Sequence, residues 1–276
     1  MFTLNCKGKL LSLEKPAVMG IINVNNDSFY SGNRKAAIID AGALATKMLE
    51  EGAAILDLGG QSTRPQSTLV SAKEEAERVI PVIESIIEKF PEVIVSIDTF
   101  YAEVAKEAVN AGASIVNDIS AGNLDSKMLK TIAALDVPYI AMHMRGTPQT
   151  MNALTVYENI TREVLDYFIK KIEQCSSAGI KDIIVDPGFG FAKTSVQSFE
   201  LMKNLNAFSM LERPILTGIS RKSMIYKTLN TTAEDALNGS TVLHTFAVQN
   251  GANIIRTHDV KETVETIRLL EKLSVV

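Results

Sequence analysis

The sequence predicts an α/β fold, a (β/α)8 TIM barrel with a short N-terminal β-hairpin, and three observations predict it. Short apolar, β-branched runs alternate with amphipathic helical stretches along the whole chain. Those runs are nearly continuous in their hydrophobicity, as strands buried on both faces must be. No linker, low-complexity stretch or second composition regime interrupts residues 1–276, a length that suits one barrel of about 250 residues and a single domain. A doubly wound open sheet is the alternative that the alternation alone leaves open.

The first element is a hairpin. Residues Phe2–Leu13 alternate around Lys7-Gly8, a pair suited to a tight turn, and such a hairpin could close the bottom of a barrel. Strands are expected at Val18–Asn23, Ala54–Gly59, Val93–Thr99, Ser114–Ile119, Pro138–Met144, Ile183–Asp186, Ile215–Ser220 and Asn253–His258. Helices are expected at Ala36–Glu51, Lys73–Phe90, Ala102–Ala111, Ser126–Leu135, Val156–Ala178, Val196–Asn204, Ala233–Asn250 and Val260–Leu273. The first helix places Ile39, Leu44, Met48 and Leu49 on its apolar face, and Pro81 is a possible kink in the second. Gly52, Gly112, Gly179 and Gly251 each stand where a helix ends before a strand. No helix carries an obviously excessive apolar outer face. The longest stretches without periodicity, Asn25–Lys35 and Gln61–Ser71, follow the first two barrel strands, where such folds place function.

Charge and composition narrow the function. The net charge is -4, with no basic run or stripe, so no nucleic-acid partner is expected. An anionic substrate would need local positive groups. The N-terminus lacks a signal pattern and no apolar run has membrane-spanning length, so a cytoplasmic protein without a membrane partner is expected. Cys6 and Cys175 have no metal-type spacing and are expected to be reduced thiols.

Each apolar run ends in polar groups. In order these are Asn23; Ser62-Thr63-Arg64-Pro65; Asp98-Thr99; Asn117-Asp118; His143-Met144-Arg145; Asp186-Pro187-Gly188; Ser220-Arg221-Lys222; and Arg256-Thr257-His258-Asp259. A barrel aims those ends at one crater. Asp98, Asn117, Asp186 and Lys222 suit a flat, nitrogen-rich heterocycle, because a carboxylate accepts two parallel hydrogen bonds from an amino-amide edge. Arg64, Arg256 and His258 with Asn23 suit a phosphate or diphosphate near the helix start at Val260. Arg256 and His258 could instead form a surface ion cluster with Asp259. Asp57, inside an apolar strand, and His244, mid-helix, read as structural. His143 stands open between lining the pocket and standing behind it. The run Gly188–Thr194 fails the spacing of nucleotide-binding loops; it reads as a rim loop whose Phe191 packs on a ligand ring.

Taken together, these residues are specific. Met19–Val24 with Asp27-Ser28-Phe29, Gly59–Pro65, Ser96–Thr99, Asn117-Asp118, Met142–Met144, Asp186–Phe191, Gly218–Lys222 and Arg256–Asp259 follow one another in an order that resembles the dihydropteroate synthases over nearly the full chain. The resemblance implies condensation of (7,8-dihydropterin-6-yl)methyl diphosphate with 4-aminobenzoate in folate biosynthesis, through a dissociative substitution needing no dedicated general base. It implies a pterin site of Asp98, Asn117, Ile119, Met142, Asp186, Gly218 and Lys222, and a diphosphate site of Asn23, Thr63, Arg64, Arg256 and His258. Thr63, Pro65, Phe191, Ser220 and Lys222 would frame the aminobenzoate, and Asn23 would ligate Mg2+. Asp98, Lys222 and Asn23 would carry the chemistry. It further implies a homodimer and a sulfonamide target. The chain departs from the family at Asn25-Asn26 (usually Thr-Pro), Gln61 (usually Glu), Gln66 and Ala192 (usually Gly). A pterin-binding methyltransferase barrel and a non-catalytic pterin-binding paralogue are the competing readings.

Overall fold

In the computed structural model, which describes residues 2–24, 34–61 and 69–273, the apolar runs pair in parallel and in chain order. After the hairpin strands β1 (Thr3–Cys6) and β2 (Lys9–Ser12) come the barrel strands β3 (Ala17–Asn23), β4 (Ile55–Gly59), β5 (Ile94–Asp98), β6 (Ile115–Asp118), β7 (Tyr139–Met142), β8 (Ile183–Asp186), β9 (Leu216–Gly218) and β10 (Ile254–Thr257). The sheet order is β8-β7-β6-β5-β4-β3-β10-β9. A parallel bridge from Val185 to Ile215, with the Val185 N–H donating to Pro214 O at 2.9 Å, closes the ring between β8 and β9. The open-sheet alternative is thereby excluded.

The helices are α1 (Arg34–Glu50), α2 (Ala72–Lys89), α3 (Ala102–Asn110), α4 (Met128–Leu135), α5 (Ile160–Ala178), α6 (Ser195–Lys203), α7 (Ser223–Thr228), α8 (Leu237–Gln249) and α9 (Val260–Leu273). Expected starts move where a cap sets them. The fifth helix begins at Ile160, because the Asn159 side chain accepts from the Arg162 N–H at 2.9 Å. It ends at Gly179, whose φ of 98° supplies the left-handed turn. The short α7 and the 3₁₀ segments Met151–Ala153 and Leu205–Leu211 fall below the length that periodicity can detect. The second helix runs through Pro81 without interruption.

Two expectations about faces need correction. In α1 the buried stripe is Ala37, Ala41, Ala45 and Met48, whereas Ile39 is 68% exposed and Leu44 lies on the surface. That stripe follows one helical face, from which Ile39 and Leu44 are turned away, and Gly20 of β3 makes room for Met48, whose sulfur a β-carbon there would meet at 2.7 Å. The outer faces also carry more apolar surface than expected. Val242 and Phe246 on α8, and Leu269 and Leu273 on α9, are exposed one turn apart.

Alternation along the strands divides the core. One set of side chains, including Val18, Leu56, Val95, Val116, Tyr139 and Ile183, packs against the helices. The other set points into the barrel. Its lowest layer is Met19, Ile55, Ile94, Ile115, Ile140, Ile184, Leu216 and Ile254, and it packs with Leu4, Cys6 and Leu13 of the hairpin segment. The hairpin turn is Lys7-Gly8 with both φ positive, and Lys7 Nζ donates to Val109 O at 2.8 Å. The hairpin therefore plugs the floor, as expected. Both cysteines are buried free thiols, and burial pushes Cys6 up to about 12 and Cys175 to about 11.

Candidate functional site

Two residues above that apolar layer, the same inward face turns polar. Ile55 is followed by Asp57 and Gly59, Ile94 by Ser96 and Asp98, and Ile115 by Asn117. Likewise Ile184 is followed by Asp186, Leu216 by Gly218 and Ile254 by Arg256. The parallel register sets Asn23 beside Gly59, Gly59 beside Asp98, Asp98 beside Asn117 and Met142 beside Asp186.

At the centre stands Arg256. Its Nε donates to Asp57 Oδ2 at 2.6 Å and its Nη2 to Asp98 Oδ2 at 2.8 Å. Asp57 is fully buried and also accepts from Asn117 Nδ2 at 3.1 Å, which confirms its structural reading. Asp57 thus orients both the guanidinium and the amide from below. Burial raises the Asp98 carboxyl, Arg256 opposes that rise, and the nearby Asp57, Asp118 and Asp186 add to it. The Arg256 side chain passes over Gly218, where a β-carbon would stand 3.9 Å from it. Arg256 thus turns inward to Asp57 and Asp98 rather than joining a surface cluster. Asp259 instead holds Arg221 through two hydrogen bonds of 2.7 and 2.9 Å.

Across the crater, the Asp186 carboxyl accepts from the Gly188 N–H at 2.8 Å and is raised by burial against the pull of Lys222. Lys222 Nζ donates to Phe189 O at 2.6 Å and lies 4.8 Å over the Phe191 ring. Burial lowers this ammonium to about 8, while Asp186 works the other way. Ile119, Met142 and Ala192 form one apolar wall with Phe100, Met144 and Met151, against which Phe191 packs. Ser220 joins the last two strand ends: its Oγ accepts from the His258 N–H at 3.2 Å and lies 3.3 Å from His258 Nδ1. His258 and Asn23 are both exposed at the rim.

Not every polar strand end faces the crater. Asp118 alternates outward, where it accepts from Ser120, Gly122 and Tyr139. Arg145 turns to Glu163 at 2.6 Å. His143 is buried behind the pocket, edge-on to Tyr167 at 4.8 Å. His244 is structural, held against Thr263 at 3.2 Å and lowered by burial to about 4. Thr63, Arg64 and Pro65 lie outside the described residues, as do Ser62, Gln66, Asn25, Asn26 and Asp27–Phe29.

The stubs of the 62–68 segment are well tied. Gln61 Oε1 accepts from the Val70 N–H at 2.8 Å, Tyr101 OH donates to Val70 O at 2.9 Å, and Arg78 Nη1 donates to Gly60 O at 3.0 Å. Beside them Glu75 is fully buried, and neither carboxyl oxygen meets a donor in hydrogen-bond geometry among the described residues. Burial pushes it up to about 8, past the opposing influence of Thr99 and Arg78.

Residue patterns missed one participant. Lys193, in the glycine-rich run after Asp186, is buried beneath the rim loop. A lysine that follows two tight glycine turns was the available signal. Ala192 beside it has a φ of 49°, a left-handed conformation in the place the family usually gives to glycine.

The pterin binding enzyme family model matches residues 19–258. The dihydropteroate synthase of Escherichia coli (strain K12) is 43% identical over 267 residues, covering 96% of this chain and 94% of that protein. The structure of the Xanthomonas albilineans dihydropteroate synthase with 4-aminobenzoic acid superposes with a TM-score of 0.92 at 37% identity, covering 99% of this chain and 98% of that one. The structure of the X. albilineans enzyme in complex with 7,8-dihydropteroate gives 0.90 at 35% identity, with both chains fully covered. With matches of this extent, and a crater of this chemistry at the strand ends, the chain belongs to the dihydropteroate synthase family of pterin-binding enzymes.

Proposed function

We propose that the protein condenses (7,8-dihydropterin-6-yl)methyl diphosphate with 4-aminobenzoate to give 7,8-dihydropteroate and diphosphate, a transferase step of folate biosynthesis. The observation that carries this reading is the set Asp98, Asn117, Asp186 and Lys222, brought from four elements onto one inward face around the Asp57–Arg256–Asp98 bridge. Asp98 keeps one oxygen outside its bond to Arg256, and Asp186 keeps one outside its bond to Gly188, so each can take up a donor of the pterin edge. Ile119, Met142 and Gly218 would line the ring's slot. The names of the relatives support the same substrates.

The chemistry follows from charge. Departure of diphosphate leaves positive charge on the pterin methylene, and the carboxylate of Asp98 would stabilise that charge. The aromatic amine then attacks an electrophilic carbon, so no side chain has to remove its proton beforehand. His258, Arg256 and the backbone at the start of α9 would hold the leaving group, together with Thr63 and Arg64. Phe191, Ser220, Lys222, Thr63 and Pro65 would frame the aminobenzoate. In this reading sulfonamides compete for the same place.

The donor set fits Mg2+. Among the described residues no three His, Cys, Asp or Glu side chains form a cage. Asn23 offers one carboxamide oxygen at an exposed strand end, which suits a hard cation that keeps waters and takes phosphate oxygens from its substrate. Asn23 would hold the ion, which supplies positive charge to the departing diphosphate when bound. The reading also includes a homodimer, favoured by the exposed Val242–Phe246 and Leu269–Leu273 pairs, and a cytoplasmic location. No described helix is long and apolar enough to cross a membrane.

The test is diphosphate release from the pterin substrate, with and without 4-aminobenzoate and magnesium. Release coupled to dihydropteroate formation is expected. Tight pterin binding without release would make the protein a non-catalytic pterin binder.

A further inference from the structure

Lys193 does not face the crater, yet it touches the loop that forms one wall of it. Its Nζ lies 2.9 Å from Gly188 O, 2.9 Å from Phe191 O and 2.9 Å from His143 Nδ1, with His143 O at 3.3 Å. An ammonium has three hydrogens and meets three acceptors at equal distance. His143 must then be neutral, with Nδ1 as acceptor and its proton on Nε2. Burial holds His143 well below the usual imidazole range, in keeping with that form. Burial pulls Lys193 down as well, but the backbone carbonyls aimed at its nitrogen are arranged for a cation.

From the crater side the same loop is held by a second lysine, because Lys222 donates to Phe189 O. The peptides from Gly188 to Phe191 therefore lie between two ammonium groups. The loop needs such a grip. Gly188, Gly190 and Ala192 all have positive φ, and a β-carbon at Gly188 would collide with the His143 carbonyl oxygen. The Asp186 backbone, by contrast, is fixed by the β7–β8 ladder, and only its carboxyl reaches the loop, at the Gly188 N–H.

We propose that Lys193 is a positioning residue for the aminobenzoate half of the site. Through the carbonyls of Gly188 and Phe191 it sets the Phe191 ring. This rests on the assignment of Phe191 to aminobenzoate, so the test carries its own control.

Steady-state kinetics for 4-aminobenzoate and calorimetric binding of a pterin are measured on Lys193→Met, His143→Asn and Phe191→Ala. Lys193→Met is expected to raise the aminobenzoate KM by about tenfold or more, while pterin affinity stays within about threefold. His143→Asn keeps an acceptor near the Nδ1 position and is expected to keep that KM within about threefold of the parent. If Phe191→Ala raises the KM but Lys193→Met does not, the positioning role is wrong. A parallel loss of pterin and aminobenzoate binding would also overturn it, as a general structural effect. If Phe191→Ala leaves the KM unchanged, the aminobenzoate assignment itself fails. Should Lys193→Met not fold, nitrogen NMR of His143 in the unaltered protein decides: a neutral ring protonated on Nε2 from pH 6 to 8 is expected (roughly the range where a free imidazole titrates), and a proton on Nδ1 refutes the clamp.

Discussion

The floor and the crater of this barrel are built on the same inward faces, two residues apart, and they differ in almost every physical respect. The floor is a layer of eight apolar side chains sealed by the hairpin. The crater holds three carboxylates, an amide, an arginine and a lysine within the same strands or just beyond them. Burial stabilises the floor directly, at about 1.5–3 kcal/mol for each large side chain taken from water. In the crater burial works against the charged forms, which raises Asp98 and Asp186 and lowers Lys222. The crater exists because the floor and the helix-facing layers hold its strands in place, and because its charges oppose one another in pairs. Stability is stored below and chemistry above.

The sharpest way to break this comparison is at Asp98. Asp98→Asn removes the negative charge but keeps the shape and a hydrogen bond acceptor for Arg256. It should lose about 100-fold or more in kcat, on the order of 2.7 kcal/mol, while the unfolding midpoint shifts little. Near-normal turnover in a diphosphate-release assay would remove Asp98 from the chemistry. The mirror experiment is Ile184→Ala in the floor. It should cost roughly 2–4 kcal/mol in chemical denaturation and leave the kinetic constants of the folded enzyme unchanged; a specific loss of pterin affinity would show that floor and crater are not separable.

A smaller effect sharpens the boundary between them. Glu75 is a buried carboxyl outside both layers, raised to about 8. The folded state therefore binds a proton that the unfolded chain has released. Its contribution is fully present below the unfolded carboxyl pKa and is lost as pH rises through the folded value. Between these limits stability should fall by up to about 1.4 kcal/mol per pH unit from this group. Glu75→Gln should flatten that slope in urea unfolding measured from pH 5 to 8, a window of roughly the predicted titration. An unchanged slope would mean the carboxyl finds a partner when ionised.

Much of this was legible in residues alone. Apolar runs located every barrel strand to within two residues at the ends, because fully buried strands leave an uninterrupted signal. Their polar ends named Asp98, Asn117, Asp186 and Arg256, which the strands do bring onto one face, and Lys222, which stands just beyond β9. What escaped notice depended on alternation and packing. Asp118 adjoins Asn117 yet points the opposite way, so adjacency in sequence marked one pocket residue and one loop anchor alike. In α1 the larger side chains suggested the wrong face, because three of the four buried positions are alanines, whose size does not reveal their burial. The partnership of Arg256 with Asp57 spans 199 positions and has no local signature. Lys193 has no signature of its own, because its partners are backbone carbonyls of a glycine-rich run, which leave no trace in side-chain identity.

The hairpin plug has a consequence for traffic. A vessel closed at its base has one mouth, so both reactants enter and both products leave by the same route. If the heterocycle docks on Asp98, Asn117 and Asp186, it occupies the deepest berth, and whatever sits on Phe191, Ser220 and His258 is stacked above it. Arrival must then run from the bottom upward and departure from the top down. The order of events would be imposed on the enzyme by the apolar side chains of floor and hairpin, which never meet a substrate.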